Sequence, residues 1–230
     1  MRHPTGMKTA KPTSKSTART AFRSRKANAE RLPAAGSEGK ENFKPGTMLY
    51  PLPVVLVGCG ASEADYNLIT VAWTGILCTE PPMLYIAVRP ERHSHPLICK
   101  YGEFTVNLTT AAMAKITDWC GVKSGKDFNK FKECGLHVQA CNQVKAPAVQ
   151  ESPLSLECKV RQRLPLGSHE VFMAEIVNVM ADRKYLDPVT GKFNLAASGL
   201  LVYEHGNYFE TGAEIGHFGF SVRKKKNGRS

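Results

Sequence analysis

The residues best placed to do chemistry lie on one loop, 89–96, which reads Arg-Pro-Glu-Arg-His-Ser-His-Pro. The loop enters a predicted helix that Ser94 is expected to cap, with Pro96 tolerated in the first turn. Free backbone N–H groups and the helix dipole favour an anion there, Ser94 adds a hydroxyl, and arginine can bind phosphate bidentately. The pattern indicates a phosphate site, although a solvated basic loop with an ordinary cap explains it equally well.

A second candidate is the predicted strand 67–74, Asn-Leu-Ile-Thr-Val-Ala-Trp-Thr. Because side chains alternate along a strand, Leu68, Thr70, Ala72 and Thr74 share one face, which is small and hydroxylated. A planar ring system could lie against such a face, with hydroxyl and backbone groups addressing its heteroatoms. Judged on this strand alone, ordinary surface threonines are the favoured interpretation.

His169 is a candidate catalytic residue at the entrance of a long predicted strand, although a lone histidine there is more often structural. Ser168, His169 and Glu170 are sequence neighbours, so they cannot form a hydrolase triad among themselves. The sequence also contains no G-x-S-x-G elbow. Acyl-transfer chemistry of that type is therefore excluded.

Two glycine-containing segments are interpreted as structural. Gly58-x-Gly60 lacks the third glycine of a dinucleotide motif and precedes a strand, so it predicts a tight turn. The polar loop 120–127 contains Lys123 and Lys126, which would lower the pKa of the Cys120 thiol if they lay close to it. The end of one helix followed by a capped second helix is the favoured alternative for this loop.

Strands dominate the predicted elements that must position these residues. Strands are predicted at 54–57, 67–74, 83–88, 103–108, 154–160, 171–180 and 200–203. Helices are predicted at 94–101, 110–120 and 126–134, and Gly135 is expected to end the last of them. A Gly167-Ser168 turn between two strands favours antiparallel pairing, and the absence of a βαβ rhythm argues against a doubly wound sheet.

The net charge of +11 on 230 residues is concentrated at the two ends of the chain. Residues 1–46 hold 11 Lys and Arg against 3 acidic residues, and residues 223–230 hold 5 with no acid. The remaining 47–222 hold 15 basic and 17 acidic residues, so the predicted folded part is nearly neutral. A nucleic-acid surface on the folded part is therefore not supported.

Residues 1–46 are predicted to be a disordered basic extension, and 223–230 a basic tail. Whether the extension is a real tail, a transit peptide or a misplaced start remains open, and Met48 is a natural alternative start. The seven cysteines show neither CxxC nor a zinc-ligand spacing, which predicts free thiols in a reducing cytoplasm and no metal site. No run of 18 apolar residues and no secretory signal is found, so no membrane association is expected.

Taken in order, these segments resemble the flavin reductase-like family of FMN-binding split barrels, close to its flavoredoxin branch. The matching segments are 50–57, 67–74, Pro81-Pro82, 89–94, 102–108, 120–131, 167–175 and 216–220. The resemblance implies a mainly β fold, a six-stranded antiparallel Greek-key split β-barrel with short helical insertions, over residues 47–222. It also implies a homodimer with FMN near the subunit interface.

The resemblance further implies which residues bind FMN. Thr74, Arg89 and Ser94 would hold the phosphate, while the backbone of 67–72 and Asn107 would face the ring. The full implied set is Asn67, Ile69, Thr70, Val71, Ala72, Trp73, Thr74, Arg89, Ser94 and Asn107. Ser168 stands where the family more often has aspartate, which weakens any pyridine-nucleotide role inferred for His169.

The expected function is that of an FMN-dependent oxidoreductase. Electrons would pass from NADH, NADPH or a redox partner through the flavin to free flavin, ferric iron or a protein acceptor. Because the flavin itself accepts electrons, no acid–base pair is needed. The alternative is a non-enzymatic FMN-binding or protein-interaction module whose basic tails contact nucleic acid.

Overall fold

The computed structural model describes residues 39–222, and the predictions for residues 1–38 and 223–230 lie outside this range. The strands are β1 (Leu52–Pro53), β2 (Val55–Cys59), β3 (Asn67–Val71), β4 (Thr74–Cys78), β5 (Met83–Val88), β6 (Glu103–Leu108), β7 (Val138–Gln139), β8 (Ala148–Val149), β9 (Leu154–Leu166), β10 (His169–Ala181), β11 (Leu201–Glu204) and β12 (Asn207–Glu210). The helices are α1 (Ser94–Tyr101), α2 (Ala114–Val122) and α3 (Lys130–Cys134), with 3₁₀ turns at Ala111–Met113, Arg183–Tyr185, Leu195–Ser198 and Phe220–Val222.

One antiparallel sheet of seven strands, in the order β3-β2-β6-β9-β10-β5-β4, organises the domain. Strands β3 and β4 lie at its two edges, yet only Ala72 and Trp73 separate them in the chain. The Ala87 N–H donates to the Trp73 carbonyl at 2.8 Å, so the bend also contacts β5. Counted as one bent strand, β3 and β4 give the six strands expected of the split barrel, and the mainly β fold is confirmed.

The strand connections produce the Greek key. In the closed order, β5 follows the bent strand β3–β4, then come β2 and β6, so three consecutive strands are neighbours and β6 returns beside β2. Helix α1 spans the crossover from β5 to β6. The hairpin of β9 and β10 completes the sheet through the Gly167-Ser168 turn, as the sequence predicts.

Two apolar clusters hold the sheet, one on each face of β2 and β3. The first, inside the curled sheet, includes the fully buried Val57, Phe104 and Phe172. The second packs Leu56 and Leu68 against α2 and α3. Since alternate side chains point to opposite faces, burial on both sides explains why the sequence of β2 is apolar without alternation.

Several element bounds differ from the prediction. Strands β9 and β10 are longer than expected because they continue to pair beyond the buried barrel as an exposed hairpin. Helix α3 begins at Lys130 rather than at 126, because Asn129 accepts a hydrogen bond from the Lys132 N–H at 3.1 Å and caps it there. Gly135, with φ of 62°, ends the helix as predicted.

None of the helices between residues 39 and 222 combines the length and the apolar character that a membrane crossing requires.

Candidate functional site

A cavity of about 300 Å³ lies along strand β3. The segment from Ile69 to Trp73 forms one wall, and Arg89, Gly121 and His169 contribute from other elements. Strand β3 pairs with β2 on one side only. Because the strands of an antiparallel pair direct alternate N–H and C=O groups away from the partner, β3 has free backbone donors and acceptors at its other edge.

Aromatic rings form one end of this cavity. The Trp73 indole and the His169 imidazole lie with their planes 7° apart and their centroids 6.1 Å apart. The Ser168 Oγ lies 2.9 Å from His169 Nδ1. Burial, and then the charge of Arg89, lower the pKa of His169, so its imidazole is neutral at pH 7.

A second cavity, of about 210 Å³, continues from the first toward the start of β3. Ile69, Arg92 and Val122 line both cavities, so the two adjoin. The remaining lining residues are mostly polar: Asn67, Glu91, His93, Ser94, Lys123, Ser124, Gly125 and Lys130. Three cations against one carboxylate make this end suited to an anion.

The cations are held by the end of α2. The Arg92 guanidinium donates to the Gly121 carbonyl, and the Lys130 ammonium donates to the Cys120 carbonyl at 2.6 Å. Burial lowers the pKa of Lys130 to about 8. Burial also raises the pKa of the Cys120 thiol to about 12, so the predicted activation of this thiol by nearby lysines is wrong.

Ser94 reaches the second cavity by a route that differs from the prediction. The helix cap is His93, and Ser94 is the first residue of α1 rather than its cap. The Ser94 Oγ instead accepts a hydrogen bond from the Asn67 amide at 2.7 Å. Gly125 packs so closely on Asn67 that a Cβ at this position would collide with the Asn67 side-chain oxygen.

Comparison with known proteins identifies the family to which this site belongs. The flavin reductase like domain family matches residues 47–212, most of the chain. The chain belongs to the flavin reductase-like family. This membership gives the protein a flavin-related oxidoreductase role.

Individual relatives agree with this membership. An uncharacterised protein of Archaeoglobus fulgidus is 31% identical over 65% of this chain and 85% of its own. The structure of flavoredoxin from Desulfovibrio vulgaris (Miyazaki F) superposes with a TM-score of 0.73, at 27% identity over 80% of this chain and 99% of that one. Flavoredoxin from Methanosarcina acetivorans gives 0.72, at 27% identity over 81% and 100%.

Most of the residues predicted for a flavin site come together in this flavin reductase-like protein. The first cavity is lined by Ile69, Thr70, Val71, Ala72, Trp73, Arg89 and His169. The second is lined by Asn67, Ile69 and Ser94. The catalytic candidate and the proposed phosphate ligands thus lie on one groove.

Two predicted residues lie outside both cavities. The Thr74 hydroxyl donates to the Tyr85 carbonyl at 2.6 Å, so it is engaged within the sheet. Asn107 is fully buried: its amide donates to the Leu56 carbonyl and to Thr105, and its side-chain oxygen accepts from the Val149 N–H. These bonds leave Asn107 no atom for a ligand, and its assignment to the ring is corrected to a role in the core.

The predicted hydroxylated face of 67–74 also differs. Leu68 packs in the apolar cluster under α2 and α3, and the Thr70 hydroxyl donates to the Thr117 carbonyl. These contacts belong to packing of α2 against β3. The free strand edge, rather than the hydroxyl face, is therefore the feature of β3 available to a ring.

Sequence reasoning missed several lining residues. Arg92 and Lys130 supply cations, while Tyr203 and Tyr208 from the β11–β12 hairpin line the first cavity. Arg92 stands in the predicted phosphate loop, so its charge was a usable signal. The tyrosines and Lys130 come from segments far along the chain, and no local pattern links them to β3.

Proposed function

We propose that the protein binds FMN along strand β3 and transfers electrons through it. The donor is NADH, NADPH or a redox partner, and the acceptor is free flavin, ferric iron or a protein. The observation that carries the proposal is one continuous groove on a free strand edge, cationic at one end and aromatic at the other. FMN has the matching arrangement of a phosphate and a planar ring system.

The donor set fits this cofactor. Free backbone groups at the edge of β3 suit the heteroatoms of the ring, and Trp73 offers an apolar surface beside it. Arg92, Lys123 and Ser94 suit the phosphate, since charge-assisted hydrogen bonds to phosphate are strong. Bound FMN would supply the redox chemistry, while these residues bind it, orient it and leave one face open.

Of the two arginines on the loop, Arg92 is the better phosphate ligand. Arg92 lines both cavities and is fixed by the Gly121 carbonyl. Arg89 is exposed, pairs with Glu91 at 3.0 Å and lines only the first cavity, near His169. We assign the phosphate to Arg92 and Ser94, and place Arg89 beside the ring, where a donor would approach.

Anaerobic reduction tests the electron-transfer part of the proposal. The FMN-loaded protein is mixed with NADH or NADPH without oxygen, and its visible absorbance is followed. Rapid bleaching by either nucleotide supports a reductase. Bleaching by dithionite alone supports an electron carrier that is reduced by a protein partner. A protein whose flavin dithionite cannot reduce would contradict both forms.

We also infer that residues 47–222 form the flavin-binding domain and that two copies associate. The contacts divide the chain after Gly46, which agrees with the predicted boundary. On edge strand β4, Ile76 is 71% exposed and Leu77 is 47% exposed, which leaves apolar surface for a second copy. Sedimentation equilibrium that returns only the 25.2 kDa chain mass at micromolar concentration would contradict the dimer.

A further inference from the structure

Three side chains with metal-ligating atoms meet between α1 and β10, and the flavin proposal uses none of them. His95 and Cys99 are four residues apart and so share one face of α1, while Glu170 reaches them from β10. Their ligand atoms all lie within 4.8 Å of one another. The His95 and Glu170 side chains are 13% and 10% exposed, so the group is sheltered but reachable from solvent.

This cluster is separate from the flavin groove. His169 and Glu170 are adjacent on β10, so their side chains point to opposite faces of the sheet. His169 lines the groove, whereas Glu170 pairs with His95 behind it. The edge of the His95 ring also packs on Phe172, with centroids 5.4 Å apart, which fixes the ring beside Glu170.

The distances are near those of a tetrahedral site. His95 Nε2 lies 2.6 Å from Glu170 Oε2 and 3.9 Å from Cys99 Sγ. Ligand bonds of about 2.0–2.3 Å at tetrahedral angles place such atoms roughly 3.3–3.6 Å apart. The histidine and the carboxylate must therefore separate by about half an ångström, and the sulfur must approach slightly, which side-chain rotations can supply.

We propose that His95, Cys99 and Glu170 form a binding site for a divalent transition metal of the zinc class. One nitrogen, one sulfur and one oxygen ligand suit zinc or cobalt, whereas magnesium and calcium prefer oxygen ligands alone. Three protein ligands leave the fourth position to water. Binding displaces the proton of the Cys99 thiol to solvent, so one proton is released as the metal–sulfur bond forms.

Arg163 opposes the metal. Its guanidinium donates to both oxygens of Glu170, at 2.8 and 3.1 Å, and it lies over the Phe172 ring. The positive charge repels a cation and occupies the carboxylate. The Arg163 side chain is 46% exposed, so it can turn toward solvent when a metal takes its place. Removing this side chain should therefore strengthen metal binding.

Cobalt titration of the flavin-loaded protein tests the site. Difference spectra recorded on addition of Co²⁺ report a thiolate-to-cobalt charge-transfer band, and elemental analysis after desalting reports bound Zn²⁺ per chain. We expect one metal per chain and the band in the wild type. Cys99→Ser should abolish the band, and Cys78→Ser, at a half-buried thiol on β4, should leave it unchanged.

Two further variants separate metal binding from a folding defect. His95→Ala should weaken Co²⁺ binding about tenfold or more, and Arg163→Ala should tighten it severalfold. Tighter binding in Arg163→Ala cannot result from loss of the fold. No charge-transfer band in the wild type, or the same band in Cys99→Ser, would overturn the site. Flavin reduction does not enter these readouts, so they are independent of the proposed function.

Discussion

His169 lies at the end of the cavity where a nucleotide or partner would approach the flavin, and its ring faces the Trp73 indole. Its neutral imidazole contacts no other ring atom of the proposed flavin-binding set. We predict that His169→Ala lowers NAD(P)H turnover about tenfold or more. The FMN dissociation constant should stay within about threefold of the wild-type value, because the phosphate end is untouched.

Stopped-flow reduction and FMN titration measure these two quantities. Ser168→Ala is the matched control, since the Ser168 hydroxyl contacts His169 but does not line the cavity. We expect its turnover to stay near that of the wild type. Equal losses of turnover and of FMN affinity in His169→Ala would assign a structural role to the histidine.

Asn107 illustrates the opposite case, a polar residue that serves the core. Asn107→Ala leaves the Leu56 carbonyl, the Val149 N–H and the Ser155 hydroxyl without their buried partner. We predict that it lowers the free energy of unfolding by about 2–4 kcal/mol, since each unsatisfied buried group costs roughly 1–3 kcal/mol. Urea unfolding measures the change, with exposed Asn142→Ala as the control. A stable Asn107→Ala protein with weakened FMN binding would restore its assignment to the flavin.

The sequence predicted the binding loop better than it predicted individual ligands. The loop from Arg89 to Ser94 was recognisable because its charges and helix start are local features. Thr74 and Asn107 were misassigned because their partners, Tyr85 and Val149, belong to other strands. A strand sequence shows which side chains share a face, but not which hydrogen bonds the neighbouring strands already satisfy.

At the scale of elements, the loop between α2 and α3 connects packing to the proposed phosphate site. Gly125 contacts Asn67, whose amide donates to Ser94. Because a methyl group at Gly125 would collide with Asn67, we predict that Gly125→Ala displaces that amide and weakens FMN binding about tenfold. Lys126→Ala, on the exposed side of the same loop, should bind FMN as the wild type does. Isothermal titration compares the two, and equal affinities would separate this loop from the site.

Element prediction succeeded where the local pattern was strong. Strands β5 and β6 have the predicted bounds because both show compact runs of strand-forming residues between turn signals. The prediction of one strand over 67–74 missed the bend at Ala72 and Trp73, which arises because the two halves pair with opposite edges of the sheet. Such a bend depends on barrel closure, and local propensity does not record it.

At the scale of the whole molecule, buried thiols couple stability to pH. Burial raises the pKa of Cys59, Cys120 and Cys141 to about 12 and raises that of Cys158 further. An unfolded thiol ionises near 8.5, so this stabilisation is complete below about pH 8.5 and is lost as pH rises toward 12. The lowered pKa of Lys130 acts in the opposite direction, but it concerns one proton only.

We therefore predict that the free energy of unfolding falls between pH 8.5 and 10.5 under reducing conditions. Cys59→Ala should reduce the slope by about 1.4 kcal/mol per pH unit, the contribution of one proton. Urea unfolding at several pH values, with a thiol reductant present, measures both slopes. A stability that stays constant or rises over this pH range would contradict the burial of these thiols.

The central claim is that FMN lies along β3 with its phosphate at Arg92, and a titration of the flavin-free protein with FMN tests it directly. Trp73 lines the cavity, so quenching of tryptophan fluorescence reports binding. The wild type should bind one FMN per chain. Arg92→Ala should weaken binding about 5- to 150-fold, the equivalent of 1–3 kcal/mol, while Arg89→Ala should change it less than about threefold. Saturable binding that is lost in Arg89→Ala and kept in Arg92→Ala would move the phosphate, and no saturable binding by the wild type would contradict the claim itself.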